Sequence, residues 1–300
     1  MKIRATAAVA GAAVLALGLA GCGSSDPLAS DSSATPAADG TIVVGSQAYY
    51  SNEIIAEIYA QALEGAGFDV DRQFNIGQRD AYMPSIESGE ITLFPEYTGN
   101  LLQYYSPDTT ATSSDDVYAE LQDALPDGIT ALEQASATDG DSYTVTADYA
   151  EQNSLTSIAD LANVDGTVTL GGPAELEERP YGPEGAKSVY GLDLAFSATG
   201  DTTVDELVAG SIQVGNVFTA DPRIQTDDLV TLEDPKGLIL ASNVVPIVAA
   251  DEADEIGEVI DPISEALTPE GLVAMNVQST EDEMSAADIA TQWLSDNGLS

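Results

Sequence analysis

The chain has 300 residues, with 51 acidic residues, eight basic residues, no histidine and a net charge of −43. This charge argues against nucleic acid as a partner, because nucleic-acid binding needs a basic surface. Without histidine and with a single cysteine, the chain lacks the parts of histidine-based triads, Cys–His dyads and most zinc sites. No carboxylate pair stands out among so many acids, and Asp139-Gly140-Asp141 is only a fragment of a calcium loop. The sequence gives little support to catalysis and predicts no cofactor and no metal.

The first twenty-two residues are typical of a secretory signal. A basic start is followed by an uncharged apolar run over residues 5–20, which is too short for an ordinary membrane span. The run ends in Leu19-Ala20-Gly21-Cys22, which resembles the bacterial lipobox. We therefore predict a signal peptide over residues 1–21 and a lipid-modified Cys22 that anchors the protein outside the cytoplasmic membrane. A chance cysteine at the end of the apolar run is the alternative.

Two regions follow the signal. Residues 23–40 are small and polar, so they cannot bury enough surface to offset the entropy of ordering, and we predict a flexible tether over 22–40. Beyond it lie about 260 residues, enough for two lobes of ordinary size. Once Lys2 and Arg4 leave with the signal, six basic residues face 51 acidic ones, a charge of −45. Adaptation of an extracellular surface to high salt explains this charge best, and we expect lower stability at low ionic strength.

From Thr41 onward, apolar strands alternate with segments of helical period, the pattern of an α/β fold. The order strand–helix–strand occurs twice, which predicts two similar lobes. The predicted strands span 41–45, 68–76, 91–94, 129–132, 143–147, 168–170, 214–219, 229–232 and 244–249. The predicted helices span 51–65, 81–88, 117–125, 155–161, 184–190 and 204–209, followed by a mostly helical tail over 252–299 on which Trp293 packs against the body.

Seven short motifs along the chain match one known family in order. The chain resembles the substrate-binding lipoproteins of osmoprotectant ABC importers, of the glycine betaine, choline and carnitine type. The resemblance covers nearly all of residues 41–300. The motifs are Val44-Gly45-Ser46-Gln47, Glu87-Ser88-Gly89-Glu90-Ile91, Pro95-Glu96-Tyr97-Thr98-Gly99, Glu178-Arg179-Pro180, Val189-Tyr190-Gly191-Leu192, Phe218-Thr219-Ala220-Asp221 and Asn243-Val244-Val245-Pro246.

The resemblance implies a type II-like periplasmic-binding-protein fold, with two α/β lobes, two crossover strands and a ligand cleft. The first lobe is expected to hold residues 41–141 and 247–300, and the second lobe 142–246. Independently of the family, ligands of α/β sheets bind at the carboxyl ends of strands. Gln47, Tyr97 and Phe218-Thr219 lie at such strand ends, which makes them candidate ligand-binding residues.

The resemblance also implies an aromatic cage for a quaternary ammonium group, which cannot donate hydrogen bonds and suits aromatic faces. Tyr97, Tyr143 and Phe218 match cage positions. Core packing is the alternative for Tyr97 and Phe218, which follow apolar strands, and Tyr143 lies in a segment that aligns loosely with the family. The fourth expected aromatic is replaced by Ser242, beside Asn243, which we also include in the site. Tyr49 or Tyr50 could supply the missing face. Tyr104, Tyr105 and Tyr190 are assigned to packing.

The carboxylate end of a betaine is best bound by a guanidinium. Arg179 matches the family arginine for this role, and a surface salt bridge is its alternative. Gln47 and Asn100 stand where the family often has lysine and a hydroxyl residue, so neutral donors replace a charge. Choline, carnitine, ectoine or another polar solute therefore remain open as ligands beside glycine betaine.

These observations predict a lipid-anchored, monomeric receptor on the extracellular face of the cytoplasmic membrane. Its partners would be a small-molecule osmolyte and the permease of an ABC importer. The competing hypothesis is a surface lipoprotein with a hydrolytic or interaction role. That role would need an activated nucleophile or a large apolar patch, and neither is visible in the sequence.

Overall fold

The structure is a computed structural model that describes residues 40–300, so the predicted signal, Cys22 and nearly all of the tether lie outside the described residues. Two five-stranded sheets with surrounding helices form it. Within residues 40–300, no helix is long and apolar enough to cross a membrane. The strands are β1 (Thr41–Gly45), β2 (Asp69–Gln73), β3 (Leu93–Tyr97), β4 (Ile129–Ala131), β5 (Asp141–Thr146), β6 (Thr169–Gly172), β7 (Ala195–Ala198), β8 (Val214–Phe218), β9 (Leu229–Thr231) and β10 (Val244–Ala249).

Helices pack on both sheets. They are α1 (Tyr50–Ala66), α2 (Arg79–Glu87), α3 (Thr98–Tyr105), α4 (Ser114–Ala124), α5 (Ala147–Asn153), α6 (Pro183–Tyr190), α7 (Thr203–Val208), α8 (Arg223–Thr226), α9 (Ala253–Ala266), α10 (Pro269–Thr280) and α11 (Ala286–Asn297). Short 3-10 helices cover Ile158–Asn163, Ala174–Glu178 and Gly200–Thr202.

The two sheets have the same topology. The first is ordered β2-β1-β3-β10-β4 and the second β7-β6-β8-β5-β9. Each sheet contains one antiparallel strand that follows a crossover of the chain. After β4 of the first sheet the chain crosses to the second sheet as β5, and after β9 of the second sheet it returns to the first as β10. We call the parts of the chain packed on these sheets the first and second lobes. This exchange of strands confirms the expected two-lobed α/β fold with two crossovers.

The crossovers lie side by side, since Thr138 and Asn243 form an antiparallel bridge between them. Strand β5 begins at Asp141, and β10 pairs with β3 from Val244 onward. The first sheet therefore includes residues 244–246, which the sequence assigned to the second lobe.

The first lobe has the larger core. One face of α1 buries isoleucines and leucines against β1, β3 and the three carboxy-terminal helices. Helix α1 ends where Gly67 adopts a positive φ of 97° and its N–H bonds to the last turn, as is usual for a helix C-terminus. Trp293 on α11 packs half-buried against this core, as the tail was expected to do.

Strand β3 differs from its predicted span in a way that matters for the site. It runs through Pro95 to Tyr97 instead of ending at Phe94. Pro95 faces Pro246 across the sheet, and their carbonyl oxygens point away from each other, toward Asn52 and the Leu132 N–H. The β3–β10 ladder therefore needs no N–H from either proline, and each strand tolerates its proline.

Other differences are smaller. Helices α3, α5 and α8 and strand β7 were not predicted as elements, and the helix expected over 155–161 is the 3-10 helix Ile158–Asn163. Strand β7 lies at a sheet edge. Its sequence Ala-Phe-Ser-Ala contains little strand propensity, which is why the apolar pattern did not predict it.

Candidate ligand-binding cavity

A cavity of about 900 Å³ lies between the two lobes and is lined by residues of both. The ends of β1, β3 and β8 open into it, as expected for carboxyl ends of strands in an α/β sheet. Six of the nine candidate ligand-binding residues line this cavity: Gln47, Tyr49, Tyr97, Asn100, Arg179 and Phe218.

Buried hydrogen bonds fix the first-lobe wall. Asn52, on the first turn of α1, is fully buried; its side-chain NH₂ donates to the Pro95 carbonyl at 2.7 Å and to the Tyr97 hydroxyl at 3.4 Å. Its side-chain oxygen accepts the Gln47 N–H at 3.0 Å. One asparagine thus ties the loop after β1 to the end of β3. Tyr97 is 4% exposed, so its ring is held in place.

Beside Tyr97, Glu96 organises a second set of bonds. Its fully buried carboxylate accepts two bonds from Arg79, each 2.9 Å, one from the Tyr82 hydroxyl at 2.7 Å and one from the Tyr97 N–H at 2.8 Å. Burial alone would lower the pKa of the Arg79 guanidinium, but Glu96 raises it above its usual value. Arg79 lines the cavity with its charge already matched by Glu96.

Asp139, on the first crossover, is the most unusual side chain of the cavity wall. It is 4% exposed, and among residues 40–300 neither carboxylate oxygen has a partner in hydrogen-bond geometry. Burial raises the pKa of its carboxyl to about 7. Burial, and then the Asp139 charge, also raise the pKa values of Tyr49 and Tyr97, so both hydroxyls stay protonated.

Aromatic rings of the two lobes meet at one end of the cavity. The ring centroids of Tyr49, before α1, and Phe218, at the end of β8, are 6.0 Å apart with a 46° tilt. The Tyr50 ring centroid is 4.8 Å from that of Tyr49, with a 58° tilt between the rings, and Tyr50 is not part of the lining. Of the two tyrosines proposed to complete the cage, Tyr49 is therefore the one on the cavity. Phe218 is 46% exposed, an uncommon position for a phenylalanine.

Tyr143 does not reach the cavity. It is fully buried in the core of the second lobe, where its hydroxyl donates to the Tyr181 carbonyl at 2.8 Å. The second-lobe tyrosine that lines the cavity is Tyr181, whose hydroxyl donates to Asp141 at 2.8 Å. The chain between the 3-10 helix Ala174–Glu178 and α6 thus contacts the Tyr143 hydroxyl through its backbone and places the Tyr181 side chain on the cavity.

Arg179 lines the cavity from the second lobe and is exposed. None of the ion pairs found among residues 40–300 involves it, so the surface salt bridge considered as its alternative role is not formed there. Its guanidinium is therefore free to meet an anionic group in the cavity.

Two of the positions that depart from the family pattern, Asn100 and Ser242, contact each other. The Ser242 hydroxyl donates to the Asn100 side-chain oxygen at 2.7 Å. Ser242 is 5% exposed and packs on Gly140, where a Cβ would lie 3.0 Å from the serine Cβ. The space is tight on this side, so a large ring at position 242 would need the crossovers to separate.

Two further candidates, Thr219 and Asn243, hold the crossovers and do not line the cavity. Thr219 accepts the Gly140 N–H at 3.1 Å and bonds the Thr138 hydroxyl at 3.2 Å. Asn243 donates to the Ala135 carbonyl at 2.9 Å and accepts from Ser114 at 2.8 Å. Both therefore position the segments between the lobes.

The cavity is strongly acidic. Two arginines line it, and one of them, Arg79, is already paired with Glu96. Six carboxylates line the cavity: Asp80, Asp139, Asp141, Glu175, Asp201 and Asp221. No group of three metal-ligating acidic or cysteine side chains converges within residues 40–300.

Tyr104, which we assigned to packing, also lines the cavity and is 41% exposed.

Sequence reasoning did not single out Asn52, Arg79, Asp139 or Tyr181 as site residues. Asn52 was hidden inside a helical segment, and Asp139 among 51 acids. One sequence feature could have indicated Arg79. Only four arginines follow the signal peptide, so each of them, Arg79 included, was a reasonable candidate for a functional residue.

Comparison with known proteins agrees with this architecture. The chain is 26% identical over 276 residues to the glycine betaine-binding protein YehZ of Escherichia coli K12, covering 86% of this chain and 90% of that protein. The solved structure of apo YehZ from E. coli superposes with a TM-score of 0.72 at 24% identity, covering 87% of this chain and all of that one. A crystal structure described as a glycine betaine/carnitine/choline ABC transporter gives a TM-score of 0.80 at 17% identity, covering 86% and 99% of the two chains.

The family comparison covers the whole described body. Residues 40–296 match the model of the OpuAC family, described as the substrate binding domain of ABC-type glycine betaine transport systems. The substrate-binding proteins of such importers work outside the cytoplasm. The chain belongs to this family of ABC-importer substrate-binding domains.

Proposed function

We propose that this protein is an extracellular receptor that binds a quaternary ammonium solute between its lobes and delivers it to an ABC importer. The observation that carries the proposal is the meeting of Tyr49, Tyr97 and Phe218, from both lobes, in one acidic cavity. The named relative binds glycine betaine, a solute of this class.

The physical basis is the chemistry of the cationic head. A trimethylammonium group has no hydrogen to donate, and each aromatic face contributes about 0.5–2 kcal/mol through cation–π attraction. The acidic lining adds a favourable potential for a cation. Arg179 supplies a guanidinium for a carboxylate at the opposite end of a betaine or carnitine. Choline would leave Arg179 unused, and ectoine would replace the trimethylammonium group by a ring cation.

A ligand screen by thermal unfolding at high salt tests the proposal. A ligand present at 100 times its dissociation constant stabilises the folded state by about 2.7 kcal/mol. We expect glycine betaine, choline or carnitine to raise the melting temperature, and amino acids, sugars and divalent metals to leave it unchanged. A shift with one of those other solutes and none with quaternary ammonium compounds would refute the proposed ligand class.

Closure of the lobes around the solute would present one combined surface to the permease, and a monomer is sufficient for that role. The predicted lipid on Cys22 would hold the receptor near the membrane, and stable anchoring takes more than one acyl chain. Replacing Cys22 with Ala should abolish incorporation of a labelled fatty acid while the folded body still binds its solute. Labelling that persists would contradict the anchor.

A further inference from the structure

We infer that Asp139 is the counter-charge for the ligand's cationic head, so that solute binding is coupled to loss of a proton from this residue. Neither carboxylate oxygen of Asp139 has a partner in hydrogen-bond geometry among residues 40–300, and the buried side chain lines the cavity. Buried charges in proteins are normally paired, or else neutralised by a proton. A cation in the cavity can supply the pairing that the fold does not.

The surroundings of Asp139 favour a cation without hydrogen-bond donors. Ser51, Tyr49 and the Ala220 N–H are close enough to lower the pKa of the carboxyl somewhat, but none of them reaches either oxygen in hydrogen-bond geometry. The rings of Tyr49 and Tyr97, which sense its charge, line the same cavity. A carboxylate among aromatic faces offers charge and π-faces together, which suits trimethylammonium. A metal ion would need more ligands, and no such group of residues converges within residues 40–300.

The position of Asp139 also explains how its charge could act on both lobes. It lies on the crossover bridged to Asn243, and its backbone N–H donates to the Ser242 carbonyl. A cation drawn to it therefore sits between the lobes, within reach of rings from each. A cationic solute bound between the lobes would therefore neutralise the Asp139 carboxylate.

Proton linkage follows from the burial of this group. Burial raises the pKa of Asp139 to about 7, so near neutral pH a proton competes with the cationic solute. The other groups that face it are the hydroxyls of Tyr49, Tyr50 and Tyr97, which stay protonated, and the Asp221 carboxylate, whose pKa burial also raises. The chain has no histidine, and Asp221 is included in the test because it is the neighbouring carboxyl whose pKa burial also raises.

The test measures choline binding by calorimetry, at constant ionic strength, for wild type, Asp139→Asn, Asp221→Asn and the exposed-surface control Asp123→Asn. At about pH 8, Asp139→Asn should weaken choline at least about tenfold, because an opposite charge within reach shifts a pKa by about one unit or more. In wild type, choline affinity should fall as the pH drops below about 7, by at most about tenfold per pH unit, and level off near the affinity of Asp139→Asn, which should itself not change with pH. Asp123→Asn, which removes the same charge from the surface, should match wild type.

Two readouts separate a charge effect from a structural one. The uncharged analogue of choline, with a tert-butyl group in place of trimethylammonium, should bind wild type and Asp139→Asn equally. Without ligand, Asp139→Asn should melt no lower than wild type, because it removes an unpaired buried charge. A lower melting temperature, or equal losses for choline and its uncharged analogue, would show that Asp139 is a structural residue and overturn the inference.

Because the role of Asp139 rests on the proposed function, the two must be able to fail separately. If no quaternary ammonium compound binds the wild type, the proposed function fails. If choline binds wild type and Asp139→Asn alike, or if the pH dependence disappears in Asp221→Asn instead, the proposed function stands and the role of Asp139 is refuted.

Discussion

The two walls of the cavity are built in different ways. On the first-lobe wall, Tyr97 is 4% exposed, Asn52 and Glu96 are fully buried, and each is held by several hydrogen bonds. On the second-lobe wall, Phe218 is 46% exposed and Arg179 is exposed without an ion pair among residues 40–300. Among the proposed ligand-binding residues, Tyr97 on the first-lobe wall is thus fixed by folding, whereas Phe218 and Arg179 on the second-lobe wall are freer. Buried Tyr181, whose hydroxyl donates to Asp141, is the held side chain of the second-lobe wall.

Because of this difference, the side chains of the two walls lose their conformational entropy at different stages, on folding or on ligand binding. A side chain fixed by folding has already lost its rotamer freedom, whereas ordering an exposed one on binding costs about 0.5–1.5 kcal/mol. Changes to the first wall should therefore reduce stability, and changes to the second should reduce affinity with little effect on stability.

The largest effect is expected at Glu96. Replacing Glu96 with Ala removes four hydrogen bonds and leaves Arg79, the Tyr82 hydroxyl and the Tyr97 N–H without their partner. Breaking a buried ion pair by removing one partner costs about 3–5 kcal/mol. Urea unfolding of the unliganded protein measures this loss.

The control for Glu96→Ala is Glu90→Ala, which removes a glutamate at the surface of the same lobe. Its unfolding free energy should stay within about 0.5 kcal/mol of wild type. If Glu96→Ala is no more destabilising than Glu90→Ala, the first wall is not held by this ion pair, and the comparison between the walls is lost.

How far the sequence predicted these walls depends on whether a contact is local. Tyr97 and Phe218 were found because each ends a strand, and strand ends are visible in the apolar pattern. The choice between Tyr143 and Tyr181 was not visible, because it depends on how residues 174–190 fold over strand β5. The roles of Asn52 and Asp139 come from contacts across the fold, 43 residues apart for Asn52 and Pro95, and composition alone cannot show them.

The fold was easier to predict than the site for the same reason. Alternating apolar strands and helices recur along the whole chain, so a few misplaced ends do not alter the architecture. The sequence could not show that Pro95 lies inside β3, because its tolerance depends on which side its carbonyl faces in the sheet.

A smaller effect, on affinity alone, is expected at Arg179. Arg179→Ala should weaken glycine betaine by about 1.5–3 kcal/mol, the contribution of a hydrogen bond to a charged group. Choline, which lacks a carboxylate, should bind almost as before. Since the exposed side chain has no ion-pair partner among residues 40–300, the melting temperature without ligand should not change. Titration of both solutes against the variant decides; equal losses for the two would make the arginine structural.

The smallest effect is expected at Phe218, and it tests most directly whether the second wall contributes only through its ring face. Phe218→Ala should weaken choline and glycine betaine alike, by about 0.5–2 kcal/mol, because one cation–π face is lost. The ring is 46% exposed and its nearest aromatic neighbour, Tyr49, is 6.0 Å away, so stability should change little. Phe218→Tyr keeps the face and serves as the matched control, with affinity near wild type. Titration calorimetry measures the affinity of the three proteins, and scanning calorimetry measures their stability without ligand. If Phe218→Ala unfolds more easily instead of binding more weakly, the exposed ring belongs to the core, and the contrast between a fixed wall and a free wall does not hold.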